Sequence, residues 1–322
     1  MNETGDAQER GHVEVCPAVT VVIPVHNAGR YLREAIASVL SQTFKDLECV
    51  VVDDGSTDDA REIVAEAAHD RRVRYQYQVQ GGCASARNAG VRVARGRWLA
   101  FLDADDRWLP TKLDRQLTLL ETRGDGFAAF CRMRLIDPAG TPLGVESTPS
   151  TLSECQAREL QFGNVISGSA SAVVVATETV RRLGYFDEAL WAVEDLDMWR
   201  RLAEFGIRFL EVDETLVEIR IHPGSMQQNV DRLVAAERSY FAKLAREVRP
   251  EFRPLLPDVA YGFQLRWIKA YLRTGQLLRG LGILATASDC GRWARCRIAS
   301  NLLQVALRRL RERRAEVGRI LY

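Results

Sequence analysis

The chain has 322 residues, with 44 Lys+Arg against 43 Asp+Glu and a formal net charge of +1. That length suits one large domain with an appendage, or two domains, and an apolar fraction of 47% can fill a sizeable core. No apolar run reaches the roughly 18 residues of a membrane span, and the polar, acidic start Met1-Asn2-Glu3-Thr4-Gly5-Asp6 lacks the basic and apolar regions of a signal peptide.

Residues 1–17 read as a disordered leader. Val19 to Val25 is a continuous β-branched run, as expected of a strand buried on both faces. Leu32, Ile36, Val39 and Leu40 then recur at helical spacing. Leu47 to Val52 is a second buried strand. Ser56, Thr57 or Asp58 caps a helix carrying Ile63 and Val64. Val73 to Tyr77 is a shorter strand, Ala84 to Ala94 a helix of small residues, and Trp98 to Leu102 a fourth strand ending in carboxylates. Between about 124 and 222 the pattern loosens: Phe127 to Ile136 and Ala170 to Ala176 look like strands, and Glu194 to Phe205 like a helix. Beyond Asn229 the chain reads as helical, with Arg-rich faces.

Strands alternating with helices imply βαβ units and a mostly parallel sheet, with ligands bound outside the carboxyl ends of its strands. Those ends carry Pro24 to Asn27, Asp53 to Ser56, and Asp103 to Asp106. Carboxylates converging on one sheet edge are costly unless a cation joins them. Asp103-Ala104-Asp105 suits a hard divalent cation, which takes one or two carboxylates plus substrate phosphates; a solvated acidic turn is the plainer alternative. Asp53-Asp54-Gly55-Ser56 can accept from a nucleobase N–H, or simply form a turn and cap a helix. An acidic pair of this kind also occurs in phospho-receiver domains, but the rest of the chain offers that reading no support. Glu194 and Asp195 open a helix, where they either complement its dipole or supply a general base. His222, one of 4 histidines, is either a packed surface residue or a nitrogen ligand beside the carboxylates. No Gly-x-Gly-x-x-Gly, Walker loop or nucleophile elbow is present.

Val21-Val22-Ile23-Pro24-Val25-His26-Asn27, Val51 to Asp58, Gly81-Gly82 with Ala86-Arg87-Asn88-Ala89-Gly90, and Phe101 to Asp106 together resemble the signature of family 2 glycosyltransferases, in that family's order. The resemblance continues through Glu194 to Trp199 and Arg220 to Ser225, and covers roughly residues 18–228. It implies a GT-A fold over 18–228, followed by a helical, basic region over 229–322. It further implies a nucleotide-sugar donor, a UDP-sugar first among them, a divalent Mn²⁺ or Mg²⁺, and inversion at the anomeric carbon.

Carried over position by position, the resemblance assigns Pro24, Val25, His26, Asp54, Arg87 and Asp103 to the nucleotide-sugar. Asp103, Asp105 and His222 go to the metal, with Asp106 as an alternative ligand. Asp195 is the expected catalytic base and Glu194 its substitute. His26 departs from the tyrosine frequent in the family, and Gln264-Leu265-Arg266-Trp267 is one residue too short for the motif of processive members. A non-processive transfer to a glycan or lipid-linked acceptor is therefore expected. The competing possibilities are a catalytically inactive nucleotide-sugar-binding protein and a membrane-surface scaffold.

The charge is unevenly spread: 17 basic and 6 acidic residues lie between Lys243 and Arg319, leaving 27 and 37 elsewhere. Arg308, Arg309, Arg311, Arg313 and Arg314 either sit in solvent or adsorb to an anionic membrane, each contributing about 1 kcal/mol near the surface. Aromatic interleaving and known nucleic-acid motifs are missing, so no nucleic-acid partner is expected. The seven cysteines include no Cys-x-x-Cys pair and read as reduced thiols. The expected location is cytoplasmic, with peripheral attachment at the inner face of the membrane as an option.

Overall fold

The computed structural model describes residues 16–150, 156–160, 166, 169–226, 229–273, 276 and 278–279. The first fifteen residues of the expected leader, and the arginine-rich stretch around Arg308 to Arg314, lie outside them.

The first half alternates as expected: β1 (Val19–Val25), α1 (Gly29–Leu40), β2 (Leu47–Asp54), α2 (Ala60–Ala67), β3 (Val73–Gln78), α3 (Cys83–Val93) and β4 (Trp98–Phe101). Then come β5 (Arg107–Trp108), α4 (Lys112–Glu121), β6 (Phe127–Ile136), the hairpin strand β7 (Pro142–Glu146), and a short helix, α5 (Gln156–Glu159). A 3₁₀ turn at Ala170–Ala172 leads into β8 (Val174–Ala176) and α6 (Thr177–Arg182). The chain continues through α7 (Glu194–Glu204), β9 (Arg208–Arg220), α8 (Val230–Glu247) and α9 (Leu256–Arg273).

The strands form one sheet in the order β3-β2-β1-β4-β8-β6-β9-β5, with β7 paired to β6. The parallel core expected from the sequence is β3-β2-β1-β4. Beyond it, β8 runs antiparallel to both β4 and β6, while β6 and β9 are parallel. The register sets the site: Val25 lies beside Asp53, and Val22 beside Phe101. Residues 26–27, 53–56 and 103–106 therefore emerge at the same sheet edge.

Alternation along β1 divides the core. Val21, Ile23 and Val25 pack with Leu32 and Ile36 of α1, and with Leu113 and Leu117 of α4. Val22 packs on the opposite face with α3 and with Met198 and Trp199 of α7. Burying such a side chain contributes about 1.5–3 kcal/mol. Gly90 is required where α3 crosses β1, because a Cβ there would meet Val22 Cγ1 at 2.3 Å.

The C-terminal helices share a third core. Tyr240 and Phe263 pack with Leu190, Val193 and Leu196, which flank and begin α7. Lys243 of α8 also donates to Asp187 (2.6 Å) and to Asp197 of α7 (3.0 Å). Residues beyond 229 thus brace the helix that carries the acidic pair. Among the described residues no helix is long and apolar enough to cross a membrane.

Candidate active site

Separate segments meet at the sheet edge, and Arg87 ties the turn after β4 to the start of α7. It projects from α3 and is almost wholly buried. One of its amino groups donates to Glu194 Oε1 at 2.5 Å and the other to Asp103 Oδ1 at 2.6 Å. The acidic turn after β4 and the start of α7 are therefore joined by one guanidinium. The next residue, Asn88, fixes the approach to α7 by donating to Phe186 O (2.9 Å) and accepting from Phe186 N (2.8 Å).

The two acids expected to act as base have different surroundings. The Glu194 side chain is 3% exposed and committed to Arg87, so it positions the guanidinium and is poorly placed as a substitute base. Asp195 is partly buried and accepts from Leu196 N at 2.7 Å. Burial, reinforced by the neighbouring Glu194 charge, pushes its carboxyl up to about 7. A carboxyl poised there exchanges a proton near neutrality.

The three acids after β4 also divide. Asp103 and Asp105 side chains remain 22% and 30% exposed, so both can receive a ligand. Asp105 Oδ2 lies 3.0 Å from His222 Nε2. Burial and the like charge of Asp103 raise the Asp105 proton affinity. Asp106 is buried, accepting from Ser171 Oγ (2.7 Å) and Arg220 N (3.1 Å). Its oxygens already hold the turn, which removes it as the alternative metal ligand. Gly224 N donates to His222 Nδ1 at 3.2 Å, leaving Nε2–H to face Asp105. Tyr31 lies against the imidazole, its ring centroid 4.9 Å away.

Arg220 was read from sequence only as part of a motif. It donates to Asp105 O (2.9 Å), Pro138 O (3.0 Å) and Glu34 Oε2 (2.7 Å), and covers the Tyr31 ring at 4.7 Å. It thereby fixes the backbone of the acidic turn from below. Ser169 and Ser171 were not singled out in the sequence, and Ser171 lies in a 3₁₀ turn where a strand from Ala170 was expected; Ser169 Oγ donates to Asp103 Oδ2 (3.3 Å) and Ser171 Oγ accepts from Asp103 N (3.1 Å).

At the end of β1, Pro24 and Val25 are buried. His26 is exposed, its Nδ1 2.9 Å from Asp54 O and its Nε2 3.1 Å from Gln80 Nε2. The Asp54 carboxylate accepts from Gln78 Nε2 and Gly81 N (both 2.7 Å) and from Gly82 N (2.8 Å). It therefore anchors the loop that leads into α3, while Asp53 is engaged by Ser56 N and Tyr75 OH.

Between this loop and the approach to α7 lies a cavity of about 90 Å³, walled by Gly82, Cys83, Trp191, Glu194 and Met226. Trp191 and Met226 also border a more open cleft of about 480 Å³ beside Ser225 and Arg232. Another cavity, of about 520 Å³, opens beside Ala18, Trp98 and Ala176, away from these acids.

The donor set of Asp103, Asp105 and His222 has the oxygen-rich chemistry suited to Mg²⁺ or Mn²⁺. Like-charge crowding on Asp105 is what a cation would relieve. Among the described residues no group of three or more histidine, cysteine, aspartate or glutamate side chains is placed to hold a metal ion. A partial set fits a cation whose remaining ligands come from substrate phosphates.

The profile described as glycosyl transferase family 2 matches residues 20–157. TuaG of Bacillus subtilis, named for teichuronic acid biosynthesis, is 31% identical over 229 residues, covering 70% of this chain and 86% of the relative. WfaP of Escherichia coli, named a UDP-Glc:α-D-GlcNAc-diphosphoundecaprenol β-1,3-glucosyltransferase, is 29% identical over 66% of this chain and 80% of its own. The match covers 64% of one Rickettsia relative and only 30–35% of three others, which are longer chains. In fold it resembles the Pyrobaculum calidifontis mannosyltransferase PcManGT, solved with GDP-Man and Mn²⁺ (TM-score 0.61, 20% identity, 90% of this chain and 81% of that one). It also resembles Staphylococcus aureus TarS with UDP-GlcNAc (TM-score 0.58, 17% identity, 82% of this chain and 90% of that one).

Proposed function

The chain belongs to glycosyl transferase family 2, and from that premise we propose that it transfers one sugar from a nucleoside-diphosphate sugar to an acceptor hydroxyl, with inversion. The observation that carries this reading is the Arg87 bridge, which brings the acidic turn and the Glu194–Asp195 pair into one site. Asp195 takes the proton of the attacking hydroxyl. Glu194 holds Arg87, which sits where the diphosphate leaves, and Asp103, Asp105 and His222 are the residues that would hold a divalent metal. When bound, that metal supplies charge stabilisation to the leaving diphosphate. His222 would join such a site through Nε2 in the tautomer that carries its proton on Nδ1.

The nucleoside lies over the edge formed by His26 and the Asp54-anchored glycine loop. A UDP-sugar is the first donor to test, since the E. coli relative is named for UDP-Glc and a β product. The acceptor is a glycan or lipid-linked glycan that enters past Trp191. Its hydroxyl must reach the exposed edge of Asp195 from the side opposite the leaving group, which is what a single in-line displacement requires. Transfer of one sugar per encounter follows from the incomplete processive motif.

The test is nucleotide release from a panel of UDP- and GDP-sugars by the parent and Asp195→Asn. General-base assistance is typically worth about 10²–10⁴-fold, so Asp195→Asn loses that factor in turnover and keeps donor binding. As a base, Asp195 must be deprotonated, so parent kcat/KM rises with pH through about 7. Parent-like turnover in Asp195→Asn would remove Asp195 from the role of base.

A further inference from the structure

Lys112, the first residue of α4, is completely buried, and its Nζ makes no hydrogen bond. Desolvating an ammonium group without a carboxylate costs more than one aromatic contact returns, so folding alone gives poor reason to keep it. The one strong contact of this cation is with Trp108, whose ring centroid lies 3.8 Å from Nζ.

Trp108 in turn donates its indole N–H to Ser171 O at 2.8 Å. A cation on the indole face withdraws electron density and makes that N–H a stronger donor. Ser171 is the residue that accepts from Asp103 N and donates to Asp106 Oδ2. Its neighbour Ser169 sits at φ 51° and ψ −152°, a backbone region essentially reserved for glycine. A non-glycine residue persists there only where its surroundings over-determine it, and the Trp108–Ser171 bond is one such constraint.

We propose that Lys112 is a positioning residue for the donor site. Through Trp108 it holds the Ser169–Ser171 turn, and through that turn it sets the spacing of the Asp103 and Asp105 carboxylates. Asp106, anchored between Ser171 and Arg220, transmits the position to the adjacent Asp105 through the peptide bond they share. The inference rests on the metal-and-diphosphate reading of those acids.

The test is titration of Mn²⁺ into protein saturated with UDP or, in parallel, with GDP, with free Mn²⁺ followed by electron paramagnetic resonance. Parent, Lys112→Met, Trp108→Phe and the double variant are compared, each with its melting temperature. Lys112→Met and Trp108→Phe each weaken Mn²⁺ binding by about tenfold, and the double variant by no more than either alone, because both act along one path. Lys112→Met keeps or raises the melting temperature, since it removes an uncompensated buried charge. Parent-like Mn²⁺ affinity in folded Lys112→Met, or fully additive losses in the double variant, would overturn the proposal alone. Absence in the parent of Mn²⁺ binding dependent on either UDP or GDP would overturn the metal reading and this proposal with it.

Discussion

At the scale of single residues, the site works through shared partners. Arg87 serves two acids on different elements, and both ends of its guanidinium are inside the protein. Truncating one partner of a buried pair costs about 3–5 kcal/mol, because the other charge is left uncompensated. Arg87→Met therefore destabilises the fold by that order and also detaches the acidic turn from α7. Adding Glu194→Gln removes the stranded charge, so denaturant unfolding of the double variant recovers a substantial part of the lost stability. Donor binding stays impaired in both variants, because Asp103 has lost its partner. A double variant no more stable than Arg87→Met would mean that Glu194 is not the charge Arg87 compensates.

At the scale of elements, Asp195, the proposed base, is held by helices that follow it in sequence. Tyr240 and Phe263 are fully buried against residues that flank and begin α7, and Lys243 adds two ionic contacts from α8. Phe263→Ala should cost about 3–5 kcal/mol. Turnover should fall more than nucleotide affinity, since the nucleoside edge is built from β1, β2 and α3. Equal loss of both would show that α8 and α9 support the whole site and not the base alone.

The same elements show what was legible in the sequence. The strands β1, β2 and β4 carry long apolar stretches because both of their faces are covered, so they were read nearly to their ends. By contrast, β9 contains Arg208, Glu211, Asp213, Glu214, Glu218 and Arg220. Parts of it face solvent, and its buried Glu218 is neutralised by Arg107 and Arg134, so hydropathy concealed a strand of 13 residues. The candidate residues beside the strand ends could be named because their carboxylates stand in short motifs. Lys112, Ser169 and Ser171 could not: a lysine opening a helix reads as a surface residue, and small residues carry no periodicity.

At the scale of the whole molecule, the sheet brings the nucleoside edge, the acidic turn and the base helix to one side, and the C-terminal helices close behind the base. The division of labour between Asp105 and Asp195 is the central claim. Calorimetric titration of UDP and GDP, with and without Mn²⁺, tests it most directly in the parent, Asp105→Asn and Asp195→Asn. Mn²⁺-dependent binding of one nucleotide is expected of the parent, marked weakening in Asp105→Asn, and parent-like affinity in Asp195→Asn. Failure of the folded parent to bind either nucleotide, or equal loss of affinity in the two variants, would contradict that division of labour.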